Sequence, residues 1–126
     1  MSATHRILII DDSATVRSFY RRSLAGKPYE IDEAQNGVEG VERVLSNAYD
    51  LLLVDVNMPK MDGYEFVRVI RSAPNEITTP VVMITSEHEP NDRRAAYQAG
   101  ANLFLMKPVK GNQLLELVRL VTGGAR

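Results

Sequence analysis

The sequence predicts an α/β fold built on a doubly wound, five-stranded parallel sheet with helices on both faces. Three observations predict it. Short apolar runs alternate with segments of helical period, four of these runs are apolar on consecutive positions, and polar, Gly or Pro residues close each one. The four runs are Ile7 to Ile10, Leu51 to Val54, Val81 to Ile84 and Leu103 to Met106. Consecutive apolar positions read as strands buried on both faces, as a parallel sheet between helices requires. A fifth run, Tyr29 to Ala34, alternates and belongs nearer an edge.

The helices follow from period and punctuation. Ser13 can cap a first helix with Val16, Phe19, Tyr20 and Leu24 on one side and Gly26 as its stop. Val38, Val41, Val44 and Leu45 recur at spacings of three and four and mark a second. Asp62-Gly63 opens a third, whose inner face is Phe66, Val67 and Ile70 and which Pro74 ends. A fourth, Asn91 to Ala99, carries a thin apolar stripe and is expected to be the least firmly packed. The fifth, from about Asn112 to Val121, offers Leu114, Leu115, Leu117, Val118 and Val121 to the core, and residues from Thr122 onward read as a frayed end.

At 126 residues the chain fits one domain, taken as 1–126. Hydrophobic residues at 44% and charged residues at 25% suit a globular core, and a net charge of -1 gives no overall pull toward nucleic acid or anionic membrane. The absence of cysteine excludes disulfides and thiolate chemistry, and the four-residue apolar run before Asp11 is too short for a signal or membrane segment. A cytoplasmic location is therefore expected, without a membrane or nucleic-acid partner.

Ligands of doubly wound sheets gather at the carboxyl ends of the strands. There the sequence places Asp11-Asp12 after the first strand, Asp55 after the third, Thr85-Ser86 after the fourth and Lys107-Pro108 after the fifth. Taken singly, each has a plain structural explanation: helix capping for the Asp pair, β-propensity for Thr85, a solvated surface for Lys107. Together they do not. Two carboxylates about 4 Å apart repel by about 4 kcal/mol at an effective dielectric near 20, so three clustered acids call for a cation. Oxygen ligands without Cys or His nearby point to Mg²⁺, which keeps several waters and leaves room for an oxyanion. Lys107 then supplies a point charge and Thr85 a hydroxyl to that oxyanion. Such a cradle suits phosphoryl transfer, and the carboxylate of Asp55 can itself be the nucleophile.

The segments Leu8-Ile9-Ile10-Asp11-Asp12-Ser13, Leu53-Val54-Asp55-Val56-Asn57-Met58-Pro59-Lys60-Met61-Asp62-Gly63, Ile84-Thr85-Ser86 and Lys107-Pro108 resemble the receiver domains of two-component response regulators, in order and over essentially the whole chain. The resemblance implies the strand order 2-1-3-4-5. It implies that Asp55 is phosphorylated from the phosphohistidine of a histidine kinase or a histidine phosphotransfer protein. It further implies that Asp12, Asp55 and the Asn57 carbonyl bind Mg²⁺, with Asp11 acting directly or through water and Mn²⁺ as a substitute. Thr85 and Lys107 would contact the phosphoryl group, Phe104 would be the switch aromatic moving with Thr85, and Lys107-Pro108 would be cis. Phe104 stands where the family often has Tyr, so its switch lacks a hydroxyl. Asn57 and Glu87 match positions that govern phosphoryl lifetime in the chemotaxis members, implying a short-lived group. The downstream target would be met through the fourth helix, fifth strand and fifth helix. Gly100-Ala101-Asn102-Leu103 lacks the acidic pair of many DNA-binding regulators, which weighs against a transcription factor. Met58-Pro59 and Asp62-Gly63 are read as loop-shaping, with Gly63 permitting a turn.

His5 and His88 receive no role, and the Arg93–Arg94 face beside Tyr97 reads either as solvated or as a contact for an acidic partner. The leading expectation is a stand-alone receiver, serving as a chemotaxis-type messenger or a phosphorelay shuttle; Met1 and the frayed end favour it over a receiver cut from a larger regulator. No separate substrate turnover is expected. A haloacid dehalogenase-like phosphohydrolase would want an acid two residues after Asp55, where Asn57 stands, and a flavodoxin-type carrier would not place Asp11-Asp12 against a flavin phosphate.

Overall fold

Consecutive apolar residues become the centre of the sheet. The computed structural model describes residues 4–86 and 90–123, with the side chains of residues 90 and 91 left aside. Strands β1 (His5–Ile10), β2 (Tyr29–Ala34), β3 (Leu51–Asp55), β4 (Val81–Thr85) and β5 (Leu103–Met106) alternate with helices α1 (Ala14–Ser23), α2 (Gly37–Ser46), α3 (Gly63–Arg71), α4 (Pro90–Ala99) and α5 (Gly111–Thr122). The sheet order is β2-β1-β3-β4-β5, and all neighbouring pairs are parallel. This is the doubly wound fold and the strand order expected.

Alternate residues of the three central strands serve two cores. Leu8, Ile10, Leu52, Val54, Val81 and Met83 face the side covered by α2, α3 and α4. Ile7, Ile9, Leu51, Leu53, Val82 and Ile84 face α1 and α5 through Tyr20, Leu24, Leu114 and Val118. Each such buried aliphatic side chain contributes about 1.5–3 kcal/mol relative to exposure. That burial on both faces explains why these strands carry no polar alternation.

Several expectations are corrected. β5 is an edge strand: only Phe104 is buried, and Met106 is 42% exposed. Its apolar run therefore reflects one buried face and a surface, not two buried faces. On α2, Val38 and Leu45 are 43% and 56% exposed, while Gly37, Gly40 and Val44 face inward. Gly40 sits where an added Cβ would press on Ile10 and Phe66, so the helix packs by a small residue that apolar spacing does not reveal. Phe19 is likewise exposed, and α1 is capped at Leu24, two residues before Gly26. Thr122 belongs to α5, which the left-handed Gly123 caps. Among the described side chains of α4, only Ala96 and Ala99 are buried, in line with its thin stripe.

Local signals account for the helix starts. Ser13 accepts from the N–H of Val16, Asn36 from Glu39 and Asp62 from Glu65. At the amino end of the sheet, Arg71 ties separate segments together. Its guanidinium donates to the carbonyls of Gly100 (3.0 Å), Ile77 (2.8 Å) and Thr79 (2.7 Å) and to Oδ1 of Asn102 (2.9 Å). Asn102 in turn accepts from the N–H of Val81 at 2.8 Å. Truncating this side chain strands several carbonyls at once, and charge-assisted bonds weigh most. Arg71→Ala is expected to destabilise the fold by about 2 kcal/mol, read as a lower urea midpoint with unchanged slope, and Arg71→Lys is expected to recover less than half of the loss.

Candidate phosphoacceptor and metal site

Parallel strands all deliver their last residues to one edge, and this brings Asp11, Asp55, Thr85 and Lys107 together. Asp55 is the final residue of β3 and pairs in register with Ile84, one residue before Thr85. Asp11 directly follows β1, with its N–H held by the Ala34 carbonyl (3.1 Å). Its Oδ1 accepts from the N–H of Ser13 at 2.9 Å, so the turn into α1 aims the carboxylate inward. Lys107 follows β5, and its N–H donates to the Thr85 carbonyl at 2.7 Å. The Lys107–Pro108 bond is cis, as expected; Ala73–Pro74 is also cis, which was not foreseen.

The side chains meet closely. Nζ of Lys107 donates to Oδ1 of Asp55 (3.2 Å) and to Oδ2 of Asp11 (3.3 Å). Carboxylate oxygens of Asp11, Asp12 and Asp55 lie within 4.8 Å of one another. Asp11 is 2% and Asp55 6% exposed, whereas Asp12 faces solvent. Burial, and then the charge of Asp11, push the pKa of Asp55 up to about 6, against the opposing pull of Lys107. Lys107 is itself desolvated, but its two carboxylates outweigh that and hold its pKa above the ordinary lysine range. One ammonium thus binds two of the three clustered acids and leaves the cluster net negative. The residual negative charge, the oxygen-only donor set and one solvent-facing carboxylate fit a hydrated divalent ion such as Mg²⁺.

Thr85 is fully buried, and Asn57 lies exposed in the loop after β3. Phe104 is 8% exposed and pairs with Met83, so it shares a sheet face with Thr85 two residues further along β4. The guanidinium carbon of Arg93 lies 5.8 Å from the Phe104 ring centroid. Glu87 lies outside the described residues.

Comparisons with known proteins identify the family and the fold. The family model of the response regulator receiver domain matches residues 7–119. This chain belongs to the response regulator receiver domain family. It is 37% identical over 114 residues to the response regulator MprA of Mycobacterium sp. (strain KMS), covering 90% of this chain and 49% of that protein. It is 36% identical over 110 residues to a gliding motility regulatory protein of Myxococcus xanthus, covering 87% of this chain and 14% of that one. The chain thus spans half or less of the length of these curated relatives. Among solved structures, the Vibrio cholerae chemotaxis protein CheY4 superposes with a TM-score of 0.85 at 33% identity, covering 94% of this chain and 99% of that one. A response regulator structure from Chloroflexus aurantiacus gives 0.87 at 32% identity, covering 95% and 98%. The receiver domain therefore belongs to two-component signalling, in a family that is generally not one of turnover enzymes.

Some residues around the site of this receiver domain escaped the sequence reading. Arg17 donates to the Asp11 carbonyl at 2.6 Å and, with Arg21, clasps Glu33 at 2.8 Å from either side. Burial alone would raise the pKa of Glu33, but the two guanidinium groups outweigh it and hold it below the ordinary carboxylate range. The clasp ties α1 to β2 and so steadies the Asp11 turn. Gly63 was expected to permit a turn; its φ is not positive, and Lys60, with φ 72°, is the left-handed residue of the loop. What Gly63 provides is room: a Cβ there would collide with the Asp55 carbonyl oxygen and lie 2.7 Å from Met83 Cε. Neither Arg17 nor Gly63 carries a sequence signal for these contacts, because both depend on which elements become neighbours.

Proposed function

We propose that this receiver domain accepts a phosphoryl group on Asp55 from the phosphohistidine of a histidine kinase or a histidine phosphotransfer protein, and that the modified protein switches conformation to control a protein partner. The observation that carries this reading is the convergence of Asp11, Asp55 and Lys107 within hydrogen-bonding distance at the carboxyl edge of the sheet. An oxygen of Asp55 attacks phosphorus, the P–N bond of the donor breaks, and its electron pair stays on the departing imidazole nitrogen. Lys107, freed from Asp55, holds one of the phosphoryl oxygens, and the Thr85 hydroxyl meets another. Asp11, Asp12, Asp55 and the Asn57 carbonyl would hold Mg²⁺, or Mn²⁺ in its place. When bound, such an ion offsets the charge that gathers on the phosphoryl oxygens during transfer.

Switching is a population shift toward the conformer that the phosphoryl contacts favour. Phe104, on the same sheet face as Thr85, is placed to follow it. The output surface in this reading is α4, β5 and α5, in the cytoplasm, with neither nucleic acid nor membrane as partner. Asn57 and Glu87 set a short lifetime for the phosphoryl group. With Asn57 and not an acid two residues after Asp55, multiple turnover of phosphate esters is not expected.

Either of two biological settings suits this chemistry. A stand-alone messenger or relay shuttle, with 1–126 as its single domain, is supported by near-complete mutual coverage with CheY4. A receiver within a longer regulator is supported by the half-length match to MprA. Intact mass after treatment with acetyl phosphate and Mg²⁺ tests the shared chemistry. The wild type is expected to gain one phosphoryl group and lose it well within hours at neutral pH, while Asp55→Asn gains none. Equal labelling of the two proteins would overturn the assignment of Asp55, and a group persisting for many hours would overturn the lifetime roles.

A further inference from the structure

Asp12 is the exposed member of the acidic cluster, and no hydrogen bond among the described residues holds its carboxylate. Its place in the cluster is therefore set by its backbone, and both peptide units that flank it are pinned. The unit between Asp12 and Ser13 is held through the Ser13 N–H, which donates to Asp11 Oδ1 at 2.9 Å. The unit between Asp11 and Asp12 is held by Arg17, whose Nη1 donates to the Asp11 carbonyl at 2.6 Å. Because a peptide unit is planar, holding that carbonyl also holds the Asp12 N–H and Cα. The guanidinium is itself held in place. Its Nε donates to Glu33 Oε1 at 2.8 Å, Arg21 grips the other carboxylate oxygen at 2.8 Å, and the Arg17 side chain is only 15% exposed. The Arg17 charge is thus answered by Glu33 on β2, outside the acidic cluster, while a second nitrogen is directed at a backbone carbonyl and not at an acid.

We infer that Arg17 is a positioning residue for a divalent cation: by holding the peptide from which Asp12 projects, it sets the affinity of the acidic cluster for the ion. This rests on the reading of Asp11, Asp12 and Asp55 as the metal site. A carboxylate on a loose backbone has to be ordered when an ion binds, and a backbone already pinned removes part of that cost. Groups that orient a ligand from behind in this way commonly change metal affinity by about tenfold or more. Charge alone acts in the opposite direction, since a guanidinium close to the acids repels a cation. Removing Arg17 therefore weakens binding if position dominates and tightens it if charge dominates.

Binding of Mn²⁺ to the whole chain, read as loss of the electron paramagnetic resonance signal of the free ion well below the melting temperature, tests this without any phosphodonor. Arg17→Met is expected to raise the Mn²⁺ dissociation constant by about tenfold. Arg21→Met removes the same charge and loosens the same carboxylate but has no bond to Asp11. Its dissociation constant is expected to stay within about twofold of the wild type, because a more exposed charge is screened. Arg17→Lys keeps the charge but lacks the planar fork that spans carbonyl and carboxylate, and is expected to weaken binding by about threefold. Arg17→Met binding as tightly as the wild type, or more tightly, overturns the inference. So does an equal loss in Arg17→Met and Arg21→Met, which is the mark of a general loosening. Where a thermal melt shows that Arg17→Met does not fold, an unchanged constant in Arg17→Lys overturns it instead. If the wild type binds no Mn²⁺, or Asp12→Asn binds it equally well, the reading of the acidic cluster as the metal site falls.

Discussion

Asp55→Asn is expected to melt at a higher temperature than the wild type in metal-free buffer at neutral pH, and under the proposed function to lose phosphorylation. Asp55 is nearly buried beside Asp11, and burial followed by that neighbouring charge raises its pKa from 3.8 to about 6. The folded state therefore holds the proton of Asp55 more tightly than the unfolded chain does. For a carboxyl shifted upward, the ionised form carries a penalty in the native state. That penalty is absent below about pH 4, grows between about pH 4 and 6, and is fully present above. Asn is isosteric, neutral and still able to accept from Lys107. The gain is about 2 kcal/mol at neutral pH, a few degrees in melting temperature, and it vanishes near pH 4. Melts of both proteins with a chelator, at neutral and acidic pH, check the sign. Titrating Mg²⁺ into the wild type is expected to narrow the gap by mass action, because the ion meets a full set of acids only in the folded wild type. A variant that melts below the wild type at neutral pH would show that Lys107 already balances the site.

Gly63→Ala is expected to act in the opposite direction and at least as strongly. The methyl group would strike the carbonyl oxygen of Asp55 and approach Val56 Cα to 2.9 Å, both backbone atoms that cannot rotate away. α3 must then shift off the end of β3, breaking the 2.8 Å bond from the Gly63 N–H to the Val56 carbonyl. Overpacking of this kind costs about 3 kcal/mol, visible as a reduced urea midpoint. Because the displaced strand end carries Asp55, acetyl phosphate labelling should slow as well. Lys60→Gly in the same loop provides the contrast. It removes a side chain from a left-handed backbone position and should be neutral or slightly stabilising, by less than about 1 kcal/mol.

These two predictions divide along what could be read in the chain and what could not. The acidic residue ending the third strand, the Asp pair after the first and the Lys after the fifth were legible as one constellation. Parallel strands share a direction, so their terminal residues must fall on one edge whatever the details of packing. The central strands were legible for a related reason, since burial on both faces leaves no polar alternation to mislead. The surroundings of the site were not. Whether Val38 and Leu45 face a neighbour or water depends on the angle at which α2 lies on the sheet, which Gly40 sets by close approach to Ile10 and Phe66. β5 has the apolar run of an inner strand but lies at an edge.

By itself, then, the sequence determined the alternation of elements, the edge at which the chemistry gathers and the kinds of groups found there, because these depend on period, chain direction and side-chain chemistry. Only the tertiary structure decided that Lys107 bonds to Asp11 as well as Asp55, and that Gly63 is needed for space and not for a turn. Those facts are distances between residues far apart along the chain. Such distances are set jointly by every helix packed on the sheet, and no local pattern encodes them.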